Sequence, residues 1–169
     1  MATNSELAQL SSAAYKIDPA SMQLPQGWSY LSESQPDPSG ADTSGYKGYA
    51  FKNNITGEIV IANRGTEPTS SLDLAADLQM AANKLPDQYQ FAKQFLDQIV
   101  NDPSNAGASI TITGHSLGGS LAQLLAAQTG LSAVTFNPYG TKDLIVRSNS
   151  SKSSGLKSRP GSCPCAPVA

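Results

Sequence analysis

Apolar positions recur along the chain with two different periods, and the changes of period mark the predicted elements. Leu7, Leu10 and Ala14 fall at helical spacing behind Asn4, which can cap a first helix, with Glu6 in the first turn where the helix dipole favours an acid. That helix is expected to end between Tyr15 and Ile17. From Asp18 to Gly45 the prolines Pro19, Pro25, Pro36 and Pro38 each disfavour helix, so a surface loop is expected, with a short strand around Trp28 to Leu31. Tyr46 to Lys52 and Glu58 to Ala62 alternate and then run apolar as strands do, and Asn53, Asn54 and Gly57 supply the turn chemistry of a hairpin between them. The second of these strands is apolar enough for a central place in a sheet.

Two helices follow, Asp73 to Asn83 and Asp87 to Val100, the latter placing Phe91, Phe95 and Ile99 on one face as core positions. Ser109 to Thr113 is a β-branched run, Leu117 to Thr129 is rich in alanine and leucine, and Ser132 to Phe136 returns to strand character. This strand, turn, helix, strand order predicts a parallel pair joined by a right-handed crossover. After Val146 periodicity is lost in a Ser-, Lys- and Pro-rich stretch that cannot bury enough surface to offset the entropy of ordering. The expected organisation is one globular domain over 1–147 and a disordered low-complexity tail over 148–169, a composition compatible with a natural linker and with sequence read past a frame change.

Composition narrows the function classes. A 169-residue chain with 39% hydrophobic residues supports one core, and a net charge of -2 gives no basic stripe for phosphates, so nucleic acid is not an expected partner. Met1 to Leu10 is polar and lacks the pattern of a Sec-type leader, and no apolar run reaches membrane-spanning length. The expectation is a chain that stays in the cytoplasm or is exported through a signal lying elsewhere. Cys163 and Cys165 stand alone without histidine nearby, a poor metal site, and receive no role.

The chemistry concentrates in Gly114-His115-Ser116-Leu117-Gly118, a Gly-x-Ser-x-Gly pentapeptide between a β-branched strand and an alanine-rich helix. A serine on such a sharp turn is held in a strained backbone, and Gly114 and Gly118 keep side chains out of the crowded approach of strand and helix, with Gly119 adding room. The hydroxyl then stands at a helix N-terminus, where backbone N–H groups favour a developing oxyanion, and Leu117 N–H is the natural first donor. The ordinary alternative, a plain glycine-rich turn, does not explain why strand and helix flank the motif on the correct sides.

These motifs resemble the class 3 lipase family of α/β-hydrolases, whose members carry a GHSLGG elbow and an upstream Arg-Gly-Thr or Arg-Gly-Ser after a central strand. Here Arg64-Gly65-Thr66 follows the strand at Ile59, and Asp73 and Asp77 resemble the acidic positions that come next; the resemblance covers about Tyr46 to Asn137. It implies a partial α/β-hydrolase fold, with a mostly parallel central sheet flanked by helices. It also implies a serine ester hydrolase of lipase or phospholipase type, acting on a lipid or acyl-ester substrate, with transient contact at a membrane surface and no cofactor. By resemblance Thr66 gives the second oxyanion donor through its backbone N–H, Gly65 lets the backbone approach, and Arg64 is structural, pairing with Asp73 or Asp77. Oligomeric state is not implied.

The difficulty is the base. Chain order in this fold is Ser, then Asp or Glu, then His, and the single histidine of the chain, His115, precedes Ser116. A residue adjacent to the serine points into the packing between elbow and sheet, so His115 is expected to be structural. Asp143 is the candidate triad acid, although it follows the strand ending at Phe136 closely. The alternative to an active hydrolase is a truncated homologue without the triad Asp and His, retaining at most a lipid-binding or interaction role.

Overall fold

The computed structural model describes residues 1–16, 18–35, 45–65 and 74–138, and of residues 74–87 the backbone alone. Helix α1 spans Asn4–Ala13, strands β1 to β3 span Trp28–Glu33, Gly48–Asn53 and Ile59–Asn63, helix α2 spans Leu74–Asn101, strand β4 Ile110–His115, helix α3 Leu117–Thr129 and strand β5 Ser132–Phe136. The tail over 148–169, together with Pro36 and Pro38 of the first loop, lies outside the described residues.

The five strands lie in the order β1-β2-β3-β4-β5. β1 and β2, and β2 and β3, pair antiparallel, while β3 with β4 and β4 with β5 pair parallel. The α/β architecture is therefore built from an antiparallel half and a parallel half that share β3. Along β3 the side chains alternate between two cores. Ile59 and Ile61 join Ile112, Phe95, Leu96, Ile99, Leu121 and Leu125 beneath α2 and α3, whereas Val60 and Ala62 join Tyr49, Phe51, Leu7, Leu10 and Ala13 beneath α1. A strand covered on both faces reads as a continuous apolar run, which is what Ile59 to Ala62 is. Burying each of the valine, leucine and isoleucine side chains among these contributes about 1.5–3 kcal/mol.

Three expectations are corrected. The cap of α1 is Thr3 and not Asn4: the Thr3 hydroxyl accepts from Glu6 N–H at 3.2 Å while the Glu6 carboxylate accepts from Thr3 N–H at 2.8 Å. Glu6 stands three residues after Thr3, the spacing a reciprocal capping box needs, and Asn4 becomes the first helical residue. The two helices expected on either side of Pro86 are one, because α2 runs through it. Proline removes a single N–H from the ladder, and burial of Ala92, Phe95, Leu96 and Ile99 anchors the downstream half. Finally β2 starts at Gly48, two residues later than Tyr46, because the Tyr46 ring folds back over Gly48, where a Cβ would overlap the Tyr46 hydroxyl.

Candidate active site

Strand β4 ends and α3 begins within one residue. Ser116 occupies that junction with φ 59° and ψ −126°, a region L side chains rarely adopt, and it is 9% exposed. Its backbone is locked from two sides: Ser116 N–H donates to the Phe136 carbonyl on β5 at 3.0 Å, and its carbonyl accepts from Ser120 N–H at 3.1 Å. The hydroxyl forms no cap bond to the helix it precedes. Leu117, the first residue of α3, is 1% exposed and carries an N–H that a helix start leaves without an intrahelical acceptor.

The sharpness of the junction depends on space. A Cβ on Gly114 would overlap the Gly118 carbonyl and the Gly119 nitrogen inside 3.0 Å, and a Cβ on Gly118 would overlap the Asn63 and Arg64 backbone inside the same limit. Gly119 is tight as well, with Pro138 Cβ at 3.2 Å. The end of β3 thus presses directly on the first turn of α3, in register with the elbow through the pairing of Asn63 with Gly114.

The loop leaving β3 reaches the serine. A Cβ on Gly65 would overlap the Tyr15 hydroxyl and the His115 carbonyl and stand 3.3 Å from Ser116 Cβ. Gly65 is the last described residue of that loop: Thr66, Asp73 and Asp143 lie outside the described residues, as does the side chain of Asp77.

Beneath the elbow, buried polar groups hold the strand ends. Tyr46 O–H donates to Asn63 Oδ1 at 2.8 Å, and Asn63 Nδ2 donates to the Thr113 carbonyl at 3.5 Å, with Asn63 fully buried. Burial pushes the Tyr46 phenol far above its ordinary range, so it remains a neutral donor at every physiological pH. Sequence reasoning missed this pair. An asparagine closing an otherwise apolar strand was the available signal, since such a group must find partners when buried.

The known proteins fit this geometry. A Tle-like phospholipase domain matches residues 6–159, nearly the whole chain. The chain belongs to the Tle-like phospholipase family. No curated protein matches the sequence, but solved structures share the fold of this phospholipase-like domain. The LIP2 lipase of Yarrowia lipolytica superposes with a TM-score of 0.51 at 20% identity, covering 78% of this chain and 56% of the lipase. The Rhizomucor miehei lipase in its propeptide complex superposes with a TM-score of 0.54 at 18% identity, covering 81% of this chain and 54% of that one. The phospholipase-like chain thus spans about half the length of these fungal lipases, with the α/β-hydrolase arrangement that the resemblance implied.

Within this phospholipase-like domain His115 is engaged sideways. Its Nδ1 lies 3.1 Å from the Tyr15 hydroxyl, which also reaches the His115 carbonyl at 3.4 Å, and the two rings meet edge to face with centroids 6.1 Å apart. Among the described residues no group of three His, Cys, Asp or Glu side chains could hold a metal ion, and no helix is long and apolar enough to cross a membrane.

Proposed function

We propose that the chain is a serine ester hydrolase of phospholipase type in which Ser116 is the nucleophile and the backbone N–H groups of Leu117 and Thr66 form the oxyanion pocket. The observation that carries this reading is the left-handed backbone of Ser116 at the strand-to-helix junction, retained by a side chain where glycine would be unstrained. Ser116 Oγ attacks the acyl carbonyl, the carbonyl oxygen becomes an oxyanion facing donors fixed before the reaction, and collapse expels the alcohol to leave an acyl-serine that water hydrolyses. Such preorganised donors are worth about 10²–10³ in rate each. Gly114 and Gly118 hold the elbow closed, and Gly65 brings the loop that carries Thr66 to the serine. The family description makes the acyl ester of a phospholipid, presented at a membrane surface, the first substrate class to test. Asp143 is the proposed acid partner.

A second reading has its own observation. The one histidine of the chain precedes Ser116 and turns Nδ1 toward Tyr15, which favours a homologue that binds lipid without turnover. Loss of a triad member leaves about 10³–10⁴-fold acceleration over water. Hydrolysis of short and long p-nitrophenyl acyl esters and of phosphatidylcholine vesicles by the wild-type chain and Ser116→Ala separates the two. The hydrolase reading expects release that vanishes with the substitution; equal, background release from both proteins supports the second.

A further inference from the structure

The least expected contact in the molecule joins residues a hundred positions apart. Tyr15 follows the Ala14 C-cap of α1, and its hydroxyl stands against three pieces of the elbow region at once: His115 Nδ1 at 3.1 Å, the His115 carbonyl at 3.4 Å, and Gly65, whose Cβ it would overlap. The helix behind it is pinned at both ends. At the start, the Glu6 carboxylate accepts from Trp28 Nε1–H of β1 at 3.0 Å; at the end, Tyr49 O–H of β2 donates to the Lys16 carbonyl at 3.0 Å. Leu7, Leu10, Ala13 and Ala14 are buried along the length between. Tyr15 is therefore delivered to the elbow by a fixed strut.

We propose that Tyr15 is a positioning residue: its hydroxyl clasps the elbow at His115 and props the loop at Gly65, so that it sets how closely the loop leaving β3 approaches Ser116. This rests on the reading of Ser116 as nucleophile and goes beyond it by naming what holds the loop leaving β3 against that serine. The phenol and Nδ1 share one contact at 3.1 Å, donated by whichever of the two carries the proton, so the placement of the imidazole proton is coupled to the phenol. Removing the hydroxyl ends that coupling and leaves a gap beneath Gly65. The loop at Gly65 then shifts relative to Ser116, and misplacement of this order costs about ten- to a hundredfold in rate.

The test uses a p-nitrophenyl hexylphosphonate. Ser116 Oγ attacks phosphorus, p-nitrophenolate leaves with the bonding electrons, the serine proton passes to solvent, and the phosphoryl oxygen occupies the oxyanion pocket. The wild-type chain, Tyr15→Phe, Ser116→Ala and Tyr89→Phe are compared for labelling rate, thermal midpoint and the nitrogen spectrum of His115, which is unambiguous because the chain has one histidine. Tyr89→Phe is the structural control, since it removes a phenol bond to Gln128 between α2 and α3. Tyr15→Phe is expected to label about ten- to a hundredfold more slowly and to shift the His115 nitrogen signals, while Tyr89→Phe labels at the wild-type rate with an unchanged His115. Wild-type labelling that is lost in Ser116→Ala but unaltered in Tyr15→Phe overturns the clasp and leaves the serine reading standing. If the wild-type chain takes no label, the serine reading fails and the imidazole decides: an unchanged His115 spectrum in Tyr15→Phe overturns the clasp, and a shift keeps it as the contact holding elbow to loop.

Discussion

Two chain reversals in this molecule solve the same steric problem in opposite ways. Between β2 and β3 the hairpin turns through Gly57, whose φ of 73° is left-handed and whose missing Cβ would meet nothing within 4 Å. Asn53 closes that turn by accepting from Ile55 and Thr56 N–H at 2.9 and 3.0 Å. Glycine is present there for its backbone freedom. Between β4 and α3 the left-handed residue is Ser116, and the glycines beside it have ordinary φ but no room for a side chain. A structural turn thus gives its strain to the residue that tolerates it. The elbow keeps its strain on a residue with a hydroxyl and uses glycine to clear space around it.

The largest effects should expose that difference. Gly118→Ala drives a methyl into the Asn63 and Arg64 backbone, which no rotamer change can relieve, so a loss of about 3 kcal/mol or more is expected. Gly114→Ala meets the Gly118 and Gly119 backbone and should behave alike. Gly57→Ala meets no atoms and forfeits only its left-handed backbone, costing about 1–2 kcal/mol. Urea midpoints of the three variants check this order, and a Gly57→Ala loss equal to that of Gly118→Ala would break the comparison.

Sequence made the elbow legible and hid what surrounds it. Leu117–Thr129 and Ser132–Phe136 match the structure at both ends because Gly130, with φ 77°, stops the helix and strand character, with Val134 and Thr135, returns within two residues. The Gly-x-Ser-x-Gly spacing encodes a local junction, and local geometry is what a sequence pattern carries. The break expected between Asn83 and Asp87 is absent because the penalty of Pro86 there is overridden by tertiary burial farther along the helix. Thr3 was passed over for Asn4 although Glu6, already noted, has the capping-box offset from Thr3 alone. The bonds of Tyr15 to His115 and Tyr46 to Asn63 link distant segments, and the only local sign of either was the asparagine closing the apolar run of β3. Thr66 and Asp143 remain expectations, since they lie outside the described residues.

A smaller effect isolates the strain itself. Ser116→Gly keeps the junction and removes the left-handed penalty, worth about 1–3 kcal/mol, while adding glycine's backbone entropy cost of about 0.5–1 kcal/mol. Ser116→Ala removes the same hydroxyl and keeps the strain. The glycine variant is therefore expected to be more stable than the alanine variant by about 1 kcal/mol. A glycine variant less stable than the alanine variant by glycine's full entropy cost would mean that the φ of 59° stores no strain, and the contrast with Gly57 would collapse.

The smallest effect lies at the other helix start, and it sharpens the comparison by supplying a third solution. At α1 the cap is made entirely by side chains: Thr3 and Glu6 bond reciprocally, whereas Ser116 at the start of α3 makes no such bond. The Thr3 backbone N–H, then Trp28 Nε1–H and the Thr3 hydroxyl, hold the Glu6 carboxyl below its ordinary range. A carboxylate lowered in the folded state adds stability that is present above the unfolded pKa and is lost as pH falls through the folded one. The thermal midpoint of the wild-type chain should therefore exceed that of Glu6→Gln by a constant margin from pH 7 to about 5, with the margin closing below that. A margin that persists to pH 2 would show that the box acts through shape alone.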